Sequence, residues 1–235
     1  MQPLLPGVYA FSGLLVGRVY LIEGPDGLTI IDAGMALAAD RVLRQLAAAG
    51  HAPGEVRRIL ITHAHFDHIG GLPRLKAFTG AEVIASTIEQ PYVEGRAALP
   101  APVPGQLGPL DRLMLRLGGK TVAPATPVDR ICEDGDTVSE ALGGLQAILT
   151  PGHTPGHTAY WAPEHGVLFC GDAMMRTPGL RLPFAAFTGD MAAARRAISR
   201  LANLTPAVVC FGHGAPLIHH TAATLQTFAR RLEGR

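Results

Sequence analysis

The stretch Thr62-His63-Ala64-His65-Phe66-Asp67-His68 decides how the rest of the chain is interpreted. It follows the apolar run VRRILI, which predicts a β-strand. Side chains alternate along an extended chain, so the first two histidines and the aspartate are expected on one side, and a turn can return the last histidine to them. Imidazole nitrogens and carboxylates suit zinc and related divalent ions. The stretch therefore predicts a metal site at the end of a strand.

Three further candidate ligands follow later predicted strands, each beside glycine. His153 lies in PGHTPGH, Asp172 in FCGD and His213 in FGHG. Glycine lets the backbone turn tightly close to an ion. Because one loop rarely completes a metal site, we expect these three side chains to converge on the first stretch. His157, four residues after His153, is either a rival ligand or a hydrogen-bonding group within the same loop.

This order of ligands resembles the metallo-β-lactamase superfamily, whose hallmark is His-x-His-x-Asp-His followed by separate His, Asp and His ligands. The similarity runs from Asp32 to His213. It implies an α+β fold, a four-layer αββα sandwich in which two mixed β-sheets pack face to face with helices outside and metals at one edge. Asp32 would be a structural carboxylate beside the metal loops. The implied ligands are His63, His65 and His153 for one metal, Asp67, His68 and His213 for the other, and Asp172 as the bridge.

The resemblance implies a metal-dependent hydrolase that uses a hydroxide bridged by two divalent metals. Zinc is favoured, and iron or manganese are alternatives because His and Asp ligands do not separate these metals. Asp67 is the expected catalytic residue, which orients the hydroxide or moves a proton. The loops PGHTPGHT, FCGD and GHG are most similar to glyoxalase-II-like and small hydrolases. They imply a small-molecule ester, thioester or lactone as substrate.

Other functions stay open. Persulfide dioxygenases share the fold and the PGHTPG loop but use a single iron, for which His63, His153 and Asp172 are all present. A phosphodiesterase is a further alternative. A scaffold on an inactive hydrolase fold is disfavoured because every ligand position is filled. Glyoxalase II proper carries an additional C-terminal domain that binds glutathione, and the short stretch after His213 argues against glutathione thioesters.

We expect one domain over residues 1–235, with an inserted cap at about 87–135 that is rich in proline. Its apolar content needs burial, so it is expected to help line a substrate pocket near the metals. Two arginines are expected to bind a carboxylate or phosphate of the substrate. The candidate substrate-binding residues are Tyr92, Met175, Arg176, Arg181, Phe184 and Phe187.

The composition narrows the partners. Twenty Lys and Arg balance 19 Asp and Glu, and the net charge of +1 gives no basic field for nucleic acid. No apolar run is long enough to span a bilayer. Three cysteines are too few for a disulfide framework, and no signal peptide stands out. We therefore expect a cytoplasmic enzyme that acts on a small molecule and binds neither nucleic acid nor membrane. The apolar insert could pack against a second copy of the chain, so a homo-oligomer stays an open alternative.

Overall fold

Seven strands form the first sheet in a computed structural model that describes residues 1–118 and 125–233. They are β1 (Gln2–Leu5), β2 (Val8–Ala10), β3 (Tyr20–Gly24), β4 (Gly27–Ile31), β5 (Val56–Leu60), β6 (Glu82–Ser86) and β7 (Arg130–Cys132). They lie side by side in chain order. The strands from β1 to β4 pair antiparallel, and those from β4 to β7 pair parallel. The parallel strands therefore send their carboxyl ends to one edge.

Five strands form the second sheet, and two more form a small hairpin. In chain order the seven are β8 (Thr137–Val138), β9 (Leu145–Leu149), β10 (Thr158–Ala162), β11 (Val167–Gly171), β12 (Met175–Arg176), β13 (Leu180–Arg181) and β14 (Val208–Phe211). The second sheet has the order β14-β11-β10-β9-β8, and the hairpin pairs β12 with β13. Strands β11 and β14 of the second sheet pair parallel, so the segments that follow them leave at the same edge of that sheet.

The described residues form seven α-helices, and four of them cover the outer faces of the two sheets. The seven are α1 (Ala38–Ala48), α2 (Phe66–Ile69), α3 (Leu72–Thr79), α4 (Gln90–Val93), α5 (Pro109–Gly118), α6 (Met191–Ala202) and α7 (Thr221–Glu233). The first sheet shares a core with α1 and α3, and the second shares a core with α6 and α7. Among residues 1–118 and 125–233, no helix combines the length and apolarity needed to cross a bilayer.

A third core lies between the two sheets. It joins Ile31 and Leu60 of the first sheet to Tyr160 and Phe169 of the second, and all four are essentially buried. The Tyr160 hydroxyl also donates to the Ile61 carbonyl at 2.9 Å, which ties the sheets together near the end of β5. The predicted four-layer αββα sandwich of two mixed sheets is confirmed.

The structure differs from the sequence-based prediction at three places. Residues 14–22 (LLVGRVYLI) are rich in Leu, Val, Ile and Tyr and predict a strand, but the strand begins only at Tyr20, because Gly13 and Gly17 adopt left-handed backbone angles and make residues 12–18 a loop. The short strands β1 and β2 were not predicted. The segment predicted as an insert at 87–135 includes β7, which belongs to the first sheet, and it also includes residues 119–124, which lie outside the described residues.

Candidate metal centre

Loops that follow four strands bring all seven predicted ligands together at one edge of the sandwich. Residues 62–68 follow β5, residues 150–157 follow β9, Asp172 follows β11 and His213 lies just after β14. Within each of three overlapping groups, the nitrogen and oxygen atoms lie within 4.8 Å of one another. Side chains far apart in the chain thus form one polar cluster.

The first group contains three imidazoles, from His63, His65 and His153. His63 is fully buried and His153 is almost so. His65 Nδ1 and His153 Nε2 lie 2.9 Å apart. Two ring nitrogens at that distance need a shared proton or a cation between or beside them, because their lone pairs repel.

The second group combines a carboxylate with two imidazoles, from Asp67, His68 and His213. Asp67 Oδ2 lies 3.2 Å from His213 Nε2 and 3.9 Å from His68 Nε2. The sequence FDHI forms the one-turn helix α2, so Asp67 and His68 are adjacent on a rigid turn rather than on a loose loop.

Asp172 stands between the two groups and contacts members of both. Its Oδ2 lies 3.1 Å from His213 Nε2 and 3.5 Å from His153 Nε2. Its Oδ1 lies 3.6 Å from His68 Nε2. A buried carboxylate placed in this way is within reach of any cation held by either group.

Hydrogen bonds behind the rings fix which nitrogen faces the cluster. His68 Nδ1 lies 2.8 Å from Asp32 Oδ2, so this nitrogen carries the proton and donates it to the carboxylate. The Thr62 hydroxyl donates to Asp32 and accepts from His63 Nδ1 at 3.0 Å. His153 Nδ1 likewise donates to the Thr188 hydroxyl at 3.1 Å, since that hydroxyl donates to a backbone carbonyl. Each Nε2 therefore faces the cluster and is the atom that can bind a metal when it carries no proton.

Asp32 is held in place by the chain that it supports. Its backbone has a left-handed φ of 61°, which an aspartate tolerates better than most residues. Its Oδ1 accepts from the Thr62 amide at 2.8 Å, and its side chain is almost fully buried. The carboxylate implied by the resemblance thus links the end of β4 to the start of the histidine loop, residues 62–68.

Three polar atoms of the cluster are buried without a hydrogen-bond partner among the described residues. They are His63 Nε2, His68 Nε2 and Asp172 Oδ1. Such orphaned groups are costly unless something satisfies them. Lone pairs on imidazole and carboxylate are donors for divalent metals, so the residues present fit a metal at both groups.

Burial controls protonation in the first group. Burial and the neighbouring imidazoles hold the pKa values of His63 and His153 well below the usual range. Burial lowers the pKa of His65 to about 4, although nearby carboxylates oppose it. These three rings are therefore neutral at physiological pH, which is the form that binds metal.

Charge pairing controls protonation in the second group. Burial lowers the pKa values of His68 and His213, but neighbouring carboxylates, above all Asp172, outweigh it and raise them to about 9 and about 10. Burial would raise the pKa of Asp67, yet His68 and His213 bring it down to about 2. The same imidazoles hold the pKa of Asp172 well below its usual range. A metal that binds here displaces protons from the two rings.

His157 supports Asp172 from behind instead of joining a ligand group. Its Nε2 accepts from the Asp172 amide at 3.0 Å, so its Nδ1 carries the proton and donates to the Thr150 hydroxyl at 2.7 Å. Burial lowers its pKa to about 3. Both ring nitrogens are thus used within the fold, in agreement with the hydrogen-bonding alternative for this residue.

Two residues that support the polar cluster were not predicted from the sequence. Thr188 orients His153, and Glu89 accepts hydrogen bonds from the backbone next to the first histidines and from the loop of His153. Burial raises the pKa of Glu89 to about 7, although its donors act in the opposite direction. Neither residue lies in a recognisable motif, because each partner is far away in the chain.

The predicted substrate-binding residues have varied surroundings. The Arg176 guanidinium donates to the carbonyls of Ala215 and Pro216, so it holds the loop after His213, and its anion-binding role stays a prediction. Arg181 stacks on the Phe184 ring at 4.5 Å and donates to a backbone carbonyl.

The remaining candidates divide between interior and surface. Tyr92 packs against the core beneath the first sheet. Met175 is buried in the small hairpin, and Phe187 is exposed next to Thr188. Of these residues, Phe184 and Phe187 lie on the segment that supports His153, so their role as pocket residues stays a prediction.

Comparison with known proteins decides the family. The family model described as "Metallo-beta-lactamase superfamily" matches residues 12–213. The chain belongs to the metallo-beta-lactamase superfamily. The matched residues include all seven clustered side chains and Asp32.

Relatives and solved structures of this superfamily extend the comparison. The probable metallo-hydrolase YflN of Bacillus subtilis (strain 168) is 29% identical over 227 residues, which cover 90% of this chain and 85% of that protein. A hydroxyacylglutathione hydrolase of Rhodospirillum rubrum is 34% identical over 146 residues, covering 62% of this chain but only 44% of its own length. The crystal structure of a metallo-beta-lactamase family protein from Thermus thermophilus superposes with a TM-score of 0.72 at 26% identity, covering 99% of this chain and 80% of that one. With the His and Asp groups, membership identifies a metallo-hydrolase of the metallo-beta-lactamase superfamily.

Proposed function

We propose that the protein hydrolyses a small-molecule ester, thioester or lactone with two divalent metal ions, preferably zinc. One observation carries the proposal: two complete ligand groups lie side by side, and Asp172 contacts both. The first metal would be held by His63, His65 and His153, and the second by Asp67, His68 and His213. Bound divalent ions lower the pKa of water toward neutrality and polarise a carbonyl oxygen, which is the chemistry that ester hydrolysis needs.

The side chains supply orientation and proton handling. Asp67 keeps its negative charge because its pKa is about 2, so it would accept a hydrogen bond from the attacking water and orient it. Asp32 and Thr188 hold two of the ligand rings with their lone pairs toward the centre. His63, His68, His153 and Asp172 are buried, which limits competition from bulk water for their contacts.

The substrate class is proposed from the relatives and from the loops. The name hydroxyacylglutathione hydrolase supports hydrolysis of a thioester. Because the chain covers less than half of that relative, we propose the bond type and not glutathione as the recognised group. Phe187, which is exposed beside Thr188, would contact an apolar part of the substrate.

The test combines elemental analysis with a substrate panel. We expect about two equivalents of metal per chain and turnover of at least one ester, thioester or lactone, which is lost with a strong chelator and restored by zinc. Asp172→Asn should lose activity, whereas Asp134→Asn, in a surface ion pair, should retain it. Chelator-resistant turnover would refute the mechanism. Iron at one equivalent with oxygen uptake on a persulfide would instead favour the dioxygenase.

A further inference from the structure

Glu89 joins the two loops that carry the first ligand group. The residue is fully buried at the start of the segment between β6 and β7. Its Oε1 accepts from the Ala64 amide at 2.8 Å, between His63 and His65. Its Oε2 accepts from the Gly156 amide at 2.9 Å and from the Thr154 hydroxyl at 3.0 Å. One carboxylate therefore bridges the histidine loop after β5 and the loop of His153.

Close packing makes this bridge short and rigid. A Cβ added to Gly156 would lie 2.5 Å from the Glu89 amide nitrogen and 2.8 Å from its Oε2. Only glycine lets the loop of His153 approach so closely. The Ser86 hydroxyl donates to the Gly156 carbonyl at 2.7 Å, and the Glu89 amide in turn donates to Ser86. The strand end of β6 thus serves as a fixed base for both ligand loops.

The donor pattern requires a carboxylate and not an amide. Two backbone N–H groups and one hydroxyl point at its two oxygens, so both oxygens must accept. A glutamine can accept at only one of them, and its NH2 group would face a backbone N–H. The hydrogen bond from that backbone N–H would be lost, and the N–H would be left buried without an acceptor.

We propose that Glu89 is a positioning residue that sets the distance between His153 and the pair His63 and His65, and so determines the metal affinity of the first group. This inference rests on the proposed function, because it assumes that the first group holds a metal. The second group, with Asp67, His68 and His213, receives no hydrogen bond from Glu89 within the described residues. The two groups should therefore respond differently to changes at Glu89.

The experiment measures the two metal equivalents separately. Zn²⁺ is titrated into metal-free protein in competition with a chromophoric chelator, and the spectrum of the Co²⁺-loaded protein reports each site. We expect Glu89→Gln to weaken one equivalent by about 10- to 100-fold and to leave the other at its wild-type affinity. The matched control is Glu140→Gln, which changes a glutamate paired with Arg130 elsewhere.

A second pair of variants keeps the test decisive if Glu89→Gln does not fold. Thr154→Val removes one donor to Glu89, and Thr154→Ser keeps it. We expect valine to weaken the same single equivalent and serine to restore it, which a general loss of stability would not do. Unchanged affinity in the folded variants, or equal weakening of both equivalents, overturns the role of Glu89. If the wild-type protein itself binds no metal, the proposed function fails instead.

Discussion

Asp32→Asn tests how a carboxylate behind the ligands sets their chemistry. The substitution keeps the shape of the side chain, and asparagine tolerates the left-handed φ of 61° at this position. The change is therefore confined to the hydrogen bonds. In the native protein, Asp32 accepts from the Thr62 amide, the Thr62 hydroxyl and His68 Nδ1, each at 2.8 Å.

The amide cannot reproduce these three contacts. Its oxygen can retain the Thr62 amide, which leaves its NH2 group beside His68 Nδ1. That NH2 group would donate to Nδ1 and move the ring proton to Nε2, the atom that faces the cluster. A protonated Nε2 cannot bind metal. We expect the affinity of the second group to fall by about 10- to 100-fold. We also expect the metal-free protein to lose about 2 kcal/mol of unfolding free energy, as for lost hydrogen bonds to a buried charge.

Chelator competition and denaturant unfolding check the two expectations. Both metal equivalents are titrated for the wild type and the variant, and the metal-free proteins are unfolded in urea. Asp134→Asn serves as the control, because this aspartate pairs with Arg200 on the surface. If Asp32→Asn binds both equivalents as tightly as the wild type, Asp32 does not determine the tautomer of His68 and the reasoning fails.

Individual contacts give three further predictions. Gly212→Ala should abolish metal binding and cost about 1–3 kcal/mol, because the new Cβ would overlap Asp172 Oδ1, whereas Gly54→Ala has open space around it and should be silent. The pKa of His157 in the folded protein is about 3, against an ordinary value of 6.5. The stability that its neutral ring contributes is complete above pH 6.5 and is lost as the pH falls toward 3. We therefore expect the free energy of unfolding of metal-free His157→Gln, measured in urea, to decrease less at acid pH than that of the wild type. Arg176→Ala should lower kcat/KM for neutral and anionic substrates alike, because its guanidinium holds two backbone carbonyls in the adjoining loop.

Each of these has an outcome that contradicts it. Full metal occupancy in Gly212→Ala would show that Asp172 can move without loss. An unchanged pH profile in His157→Gln would assign the acid sensitivity to the other buried rings. A KM increase restricted to anionic substrates in Arg176→Ala would instead support the anion-binding role predicted from the sequence.

The clustered His and Asp residues could be singled out from the sequence because their signals are local. Each lies in a short motif after a β-rich run, and His153, Asp172 and His213 also adjoin glycine, so residue type and spacing together located them. The four-layer sandwich was implied by the resemblance to the superfamily that these motifs carry. Supporting groups gave no such signal. Glu89 and Thr188 act on backbone and side chains that only the tertiary fold brings near, and their residue types are common on surfaces.

The hydrogen-bond partners of Arg176 were not predictable from the sequence either. An arginine close to a metal motif suggests an anion site, but its partners here are carbonyl groups. The start of β3 was misplaced for a related reason, since the apolar residues 14–16 favour a strand while the flanking Gly13 and Gly17 bend the backbone. In both places the conformation of the backbone, and not the character of the side chains, determines the local structure.

The shared position of Asp172 bears on how the chain folds. The first ligands lie after β5, but Asp172 and His213 arrive only when β11 and β14 have paired and the second sheet has docked on the first. Contacts between residues so far apart in the sequence form slowly and late in folding. All the residues proposed to bind a cation are therefore in place only in the nearly native chain. Bound metal should therefore lower the unfolding rate and leave the refolding rate almost unchanged.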